Sequence, residues 1–148
     1  MTRPPHILLV EALYYTHIAA ELRRGAERAL AAVGATHERI AVPGAFEIAA
    51  AIGIASRASE RFDGFVALGC VIRGETTHYD HICAESARGL QDLAVRGGIA
   101  IGYGILTVEN EAQALVRASP DGRDKGGEAV RACLAIVDLK RRLAGNGG

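Results

Sequence analysis

Two patterns of hydrophobic residues, one typical of buried strands and one of helices, alternate along this chain. Continuous apolar runs predict buried strands at Ile7–Val10 and Phe65–Ile72. From Thr16 onward, apolar residues recur at helical spacing until Gly34 ends the predicted helix. Such an alternation of strand and helix patterns favours an α/β protein.

The same patterns place the remaining elements. They predict strands at His37–Val42 and Ala100–Leu106, and helices at Ala45–Ala58, about Tyr79–Val95 and about Lys125–Ala144. Asn110 and Gln113 have capping-box spacing, which predicts the start of a further short helix.

Four successive strand and helix pairs predict the fold class: α/β, a flavodoxin-like three-layer sandwich with a four-stranded parallel sheet flanked by helices. Right-handed crossovers bring every strand-to-helix loop to one edge of the sheet, where such folds bind ligands. We expect one domain spanning residues 1–148, with 1–6 and 145–148 as flexible tails.

Composition excludes several classes of function. The 17 basic and 17 acidic residues balance, which removes a bulk electrostatic reason to bind nucleic acid or an anionic membrane. No apolar run predicts a signal peptide or a membrane span, and we expect a cytoplasmic protein. Cys70, Cys83 and Cys133 lack C-x-x-C spacing and are expected to be reduced, packed thiols.

The most unusual segment follows the third predicted strand, where the apolar run ends at Gly74, two threonines and His78. A helix N-terminus here would offer unpaired amides and a partial positive charge to an anion beside residues 74–77. His78 could then move protons next to that anion. An ordinary strand-to-helix turn with a solvated histidine explains the same residues.

Four loops should meet at the ligand edge of the sheet. They are Leu13–Tyr15, Pro43–Glu47, Arg73–His78 and Thr107–Asn110. Together they supply an aromatic plate, a carboxylate, an anion cradle and a histidine, which suits a planar polar heterocycle and a phosphate.

Three linked segments carry a resemblance to a known family. They are Pro43–Ile48, Ala67–Asp80 and Gly104–Ala114, followed by Asp124–Gly126. With this order and spacing the chain closely resembles the 6,7-dimethyl-8-ribityllumazine synthase family over about Ile7–Leu143. The resemblance implies condensation of 5-amino-6-(D-ribitylamino)uracil with 3,4-dihydroxy-2-butanone 4-phosphate, the penultimate step of riboflavin biosynthesis. It implies neither a metal nor an organic cofactor.

The resemblance also implies roles for individual residues. It makes His78 the proton donor, and it assigns substrate binding to Tyr14, Ala45, Phe46, Glu47, Cys70, Val71, Ile72, Glu75, Thr76, Tyr103, Arg117 and Lys125. Tyr14 would stack on the pyrimidine, and Glu75, Thr76 and Arg117 would bind the phosphate. Tyr103 would close the site from a neighbouring subunit of a homopentamer.

The sequence departs from the family pattern at Ala49, where proline is usual, and at Tyr14 and Tyr15. Two features favour a free pentamer over a sixty-subunit shell: the linker Ser119–Asp124 and the small number of residues before the first strand.

Three alternatives stay open at this point. A flavodoxin-like electron carrier would share the sheet and an aromatic crevice. A non-catalytic lumazine or riboflavin carrier would keep Tyr14 and Glu47 without needing a phosphate cradle. His78, His81 and Glu85 could present three metal ligands on one helix face.

Overall fold

A computed structural model describes residues 3–145, which form four strands and five α-helices. In chain order these are β1 His6–Ala12, α1 Thr16–Ala32, β2 Thr36–Val42, α2 Ile48–Ala58, β3 Gly64–Ile72, α3 His78–Gly97, β4 Ile101–Val108, α4 Glu111–Ala118 and α5 Lys125–Leu143. Within the described residues no helix is both long and apolar enough to span a membrane.

The four strands form one parallel sheet in the order β2-β1-β3-β4, which confirms the predicted fold class. Helices α1, α4 and α5 cover one face around Leu9 and Val66, and α2 and α3 cover the other around Val10 and Ala67. Because β3 is central and covered on both faces, it is buried from Gly64 to Cys70.

The strand that follows β1 along the chain, β2, lies at the edge of the sheet on one side of β1, and β3 lies on the other side of β1. The loops after β1 and β3 therefore leave the sheet toward opposite sides, which opens a crevice at their carboxyl ends. The last residue pair between β1 and β3 is Glu11 with Leu68, whereas β3 continues to Ile72. The backbone of residues 69–72 is consequently free of β1 on the crevice side.

Two glycines let α5 pack closer to the rest of the fold than any other residue would allow. A Cβ on Gly102 of β4 would lie 2.0 Å from the Ala129 carbonyl oxygen of α5. A Cβ on Gly126 of α5 would lie 2.1 Å from the Leu22 carbonyl oxygen of α1. Gly102 within the fourth strand thus serves close packing.

Most element boundaries agree with the predictions to within two residues, and one α-helix starts three residues later than predicted. The segment expected to be a single helix from Ala45 begins as a 3₁₀ turn, Ala45–Glu47, and only then becomes α2. The helix after β3 starts at His78, and β4 ends at Val108 instead of Leu106. Gly34, with φ +73°, does follow the end of α1.

The expected terminal tails are covered only in part. Residues 1–2 and 146–148 lie outside the described residues. Within the expected N-terminal tail, His6 is the first residue of β1. The Arg3 guanidinium donates hydrogen bonds of 2.8 Å to both carboxylate oxygens of Asp63.

Candidate active site

A crevice of about 520 Å³ lies at the carboxyl ends of β1 and β3, within the size range of small-molecule sites. Residues of the first three predicted loops line it, and the third loop contributes His78 alone. Its lining consists of Tyr14, Tyr15, Gly44, Ala45, Phe46, Glu47, Cys70, Val71, Ile72, His78 and Ile82.

The aromatic wall of the crevice is a tyrosine pair. Tyr14 is 75% exposed, and its ring stands edge-on to that of Tyr15, with ring centroids 4.8 Å apart and planes at 85°. Tyr15 in turn packs against the core beneath α1. The exposed face of Tyr14 is thus held by a ring that is itself anchored, which is a favourable geometry for an aromatic pair.

The opposite wall is the 3₁₀ turn after β2. Glu47 accepts a hydrogen bond of 3.0 Å from the Gly44 amide through one carboxylate oxygen, which closes the turn on itself. The buried Ser86 hydroxyl of α3 donates to the Ala45 carbonyl at 3.4 Å and holds the turn against that helix. Phe46 and Glu47 are left exposed at the rim.

The floor is the free end of β3. Val71 and Ile72 are half-buried, and their register partners Thr107 and Val108 lie on the β4 side only. Burial raises the pKa of the Cys70 thiol to about 12, so this thiol stays protonated and is a poor nucleophile.

The segment Gly74–Thr77 joins β3 to α3 and lies exposed beside the crevice. Thr76 accepts a hydrogen bond of 3.2 Å from the His78 amide through its side-chain oxygen. The amides of Glu75, Thr76 and Thr77 donate to no acceptor among residues 3–145. Three free amides at the positive end of a 20-residue helix can receive an anion.

His78 is the first residue of α3 and the histidine of the crevice. Its side chain is exposed, so solvent and a ligand can both reach the ring. In the part of the chain that the structure describes, no cluster of three or more His, Cys, Asp or Glu side chains could hold a metal ion.

Five of the residues singled out from the sequence do not line the crevice of their own chain. Two of them, Glu75 and Thr76, lie in the neighbouring Gly74–Thr77 segment, and the other three lie on β4, α4 and α5. Tyr103 lies on β4, and lines a shallow groove with α3 residues such as Ala87 and Gln91. Arg117 lies in the last turn of α4 and donates to the Gln113 carbonyl at 3.1 Å. Lys125 opens α5, where its Nζ lies 3.2 Å from a Glu128 carboxylate oxygen.

Sequence reasoning missed two features of the site. Ile82, one turn into α3, lines the crevice and carries no signal beyond helical spacing. The second is the contact that the Arg73 side chain makes with Glu109 and Tyr79, although the loops that carry Arg73 and Glu109 were expected to lie near each other. Only the fold brings these residues together, because 36 positions separate Arg73 from Glu109 along the chain.

Comparison with known proteins gives one consistent result. The family model for 6,7-dimethyl-8-ribityllumazine synthase matches residues 4–141. A Rhizobium meliloti protein named 6,7-dimethyl-8-ribityllumazine synthase 1 is 52% identical over 145 residues, covering 95% of each chain. A Novosphingobium aromaticivorans protein named as the synthase is 55% identical, over 91% of this chain and 96% of its own. The named synthase of Bartonella tribocorum is 49% identical, over 99% and 97%.

Proposed function

The chain belongs to the 6,7-dimethyl-8-ribityllumazine synthase family, the transferases of the penultimate step of riboflavin biosynthesis, and we propose that its reaction takes place in the crevice between β1 and β3. There 5-amino-6-(D-ribitylamino)uracil condenses with 3,4-dihydroxy-2-butanone 4-phosphate to give the lumazine, phosphate and water. The observation that carries the proposal is the meeting of Tyr14, Glu47 and His78 around one crevice.

The pyrimidine occupies the space between the tyrosine pair and the end of β3. Tyr14 offers an exposed ring face for stacking. The free backbone of Cys70, Val71 and Ile72 pairs with the polar ring edge, because β1 no longer occupies that side. The ribityl hydroxyls reach the 3₁₀ turn, where the backbone of Ala45–Glu47 and the second Glu47 carboxylate oxygen can hold them.

The phosphate of the second substrate lies on the segment Gly74–Thr77. The amides of Glu75 and Thr76 donate to it together with the Thr76 hydroxyl, and the N-terminus of α3 favours its negative charge. The amine of the pyrimidine then attacks the ketone of the butanone phosphate. His78 gives the proton with which the ketone oxygen leaves as water, so that an imine forms, and it later accepts the proton lost from the neighbouring carbon as phosphate departs. The enol left by this elimination rearranges to a ketone. The ribitylamino nitrogen attacks that ketone, and loss of a second water closes the lumazine ring.

Positioning contributes more to this reaction than proton transfer does. Holding two small substrates in reacting geometry can lower a bimolecular barrier by about 7–11 kcal/mol, whereas a general acid adds about 10²–10⁴-fold. The crevice supplies that positioning through opposite walls, with the Tyr14 ring on one side and the Ala45–Glu47 turn on the other.

A direct assay tests the proposed function. The purified protein is incubated with both substrates, and formation of the lumazine is followed by its fluorescence. We expect turnover that requires both substrates and no added metal. Tight binding of the lumazine without turnover would instead support the carrier alternative, and a protein purified with a bound flavin would support the electron carrier.

The assembly proposed for this chain is a cyclic homopentamer whose active sites lie between adjacent protomers. The supporting observation is that Tyr103, Arg117 and Lys125 lie outside the crevice of their own chain. In a closed ring each protomer can lend these side chains to the crevice of its neighbour. Arg117 then completes the phosphate site begun by Glu75 and Thr76.

A mixing experiment tests the shared site. Arg117→Ala should raise the KM for the butanone phosphate, and His78→Ala should lower turnover. The two variants are then assembled together from equal amounts. Because each site takes His78 from one protomer and Arg117 from its neighbour, about a quarter of the sites in a randomly filled ring receive both residues intact. We expect turnover at low butanone phosphate to exceed the mean of the two separate variants.

Light scattering after size exclusion supplies the matching structural measurement. Five chains of 15.5 kDa predict a particle of about 75–80 kDa. No gain on mixing, or full activity in a monomer, would contradict the shared site. A particle near a megadalton would contradict the free pentamer.

A further inference from the structure

Arg73 stands at the root of the Gly74–Thr77 segment, immediately after β3. Its amide donates to the Val108 carbonyl at 2.9 Å, which extends the ladder between β3 and β4 by one residue. One end of the segment is thus fixed to β4. The other end is His78, which opens α3.

The Arg73 side chain reaches across to both neighbouring elements. Its Nε lies 3.0 Å from one Glu109 carboxylate oxygen and 3.1 Å from the other, in the turn after β4. Its guanidinium carbon lies 4.3 Å from the ring centroid of Tyr79, the second residue of α3. A further nitrogen lies 3.7 Å from a carboxylate oxygen of Asp80.

These contacts form a brace around the amides proposed to hold the phosphate. The Arg73 Nε donates to Glu109 on one side and the guanidinium stacks on Tyr79 on the other, so the side chain links the first turn of α3 to the turn after β4. His78 directly precedes Tyr79. The guanidinium thus joins the turn after β4 to the first turn of α3, directly beside the free amides and His78.

Stability alone gives little reason for this arrangement. The Arg73 side chain is 43% exposed and Glu109 is 55% exposed, and exposed ion pairs of this kind contribute about 0–1 kcal/mol. A small contribution to stability can still have a large effect on rate, because displacing a reacting group by about 1 Å can cost about 10²-fold.

We propose that Arg73, held by Glu109, is a positioning residue that orients the Gly74–Thr77 amides and His78 toward the phosphate-bearing substrate. This inference rests on the proposed function of the crevice. It differs from direct phosphate binding by Arg73, because the guanidinium already engages two carboxylates and an aromatic face.

The two possibilities predict opposite effects of the Glu109→Gln substitution on the KM for the butanone phosphate. If Arg73 acts as a brace, both Arg73→Met and Glu109→Gln raise the KM for the butanone phosphate by about tenfold, while the KM for the ribitylaminouracil stays within about twofold. The double variant is then no worse than Arg73→Met alone, because both substitutions break the same contact. Steady-state kinetics on the whole protein measures each value.

Arg88→Met is the matched control, since Arg88 is an exposed arginine of α3 that pairs with Glu85 on its own helix. It should leave both KM values unchanged. A Glu109→Gln variant with a lowered KM for the butanone phosphate would overturn the brace, because it would mean that Glu109 competes with phosphate for Arg73. An unchanged KM in Arg73→Met, or equal weakening of both substrates, would also overturn it.

The proposed function is judged separately, on the unsubstituted protein. If that protein forms no lumazine, the proposed function fails and the inference about Arg73 fails with it. If it turns over normally while the Arg73 and Glu109 variants match it, only the inference about Arg73 fails.

Discussion

Replacing His78 by alanine should lower turnover by about one to three orders of magnitude without unfolding the protein. The loss is bounded because the crevice still positions both substrates when the imidazole is gone. The fold should survive because the His78 side chain is exposed. The hydrogen bond to the Thr76 side-chain oxygen is donated by the His78 backbone amide, which the substitution keeps. The measurement is kcat from lumazine fluorescence at saturating concentrations of both substrates.

His81→Ala is the matched control, since His81 is an exposed histidine of the same helix that does not line the crevice. We expect it to keep normal turnover and an unchanged thermal midpoint. Unchanged turnover in His78→Ala would remove His78 from the mechanism, and an equal loss in both variants would indicate damage to α3.

Replacing Gly102 by alanine should destabilise the fold severely. The added Cβ would lie 2.0 Å from the Ala129 carbonyl oxygen and 3.1 Å from the Cys133 Cβ, so α5 has to move away from β4. Backbone atoms of a helix cannot turn aside as a flexible side chain can. We expect a loss of at least about 3 kcal/mol, the upper end of the overpacking range.

Thermal unfolding at fixed chain concentration measures this loss, because assembly makes the midpoint concentration-dependent. For a chain of this size the loss corresponds to a midpoint lower by roughly 6–12 °C. Gly74→Ala is the control, because a Cβ there meets no atom within 4 Å. Equal midpoints for Gly102→Ala and the unsubstituted protein would show that α5 packs farther from β4 than this structure has it.

The order of strands and helices could be predicted from the sequence because each element is a local pattern. The buried run Phe65–Ile72 became the central strand β3, since a strand covered on both faces is apolar at every position. Asn110 caps α4 as expected, accepting a hydrogen bond of 2.9 Å from the Gln113 amide. The returning side-chain bond goes to the Glu109 amide instead of Asn110, a detail beyond the capping pattern.

The resemblance to a family identified the candidate residues along the sequence. It could not predict which of them lie close together within one chain. Tyr14, Glu47 and His78 line one crevice because the strand order reverses between β1 and β3. Arg117 and Lys125 lie on α4 and α5, which cover the same face of the sheet as α1, and neither residue lines the crevice. Their distance from the crevice is set by helix packing, which no local pattern records.

The sequence by itself determined the α/β class, the order of the elements and the loops that carry the chemistry, because hydrophobic period, glycines and caps act over a few residues. Only the tertiary structure decided the 3₁₀ turn at Ala45–Glu47, the close approach at Gly102 and the Arg73 brace. Each of these depends on atoms far apart along the chain, such as Ser86 beneath Ala45 or Glu109 beside Arg73. Their positions follow from how the layers pack.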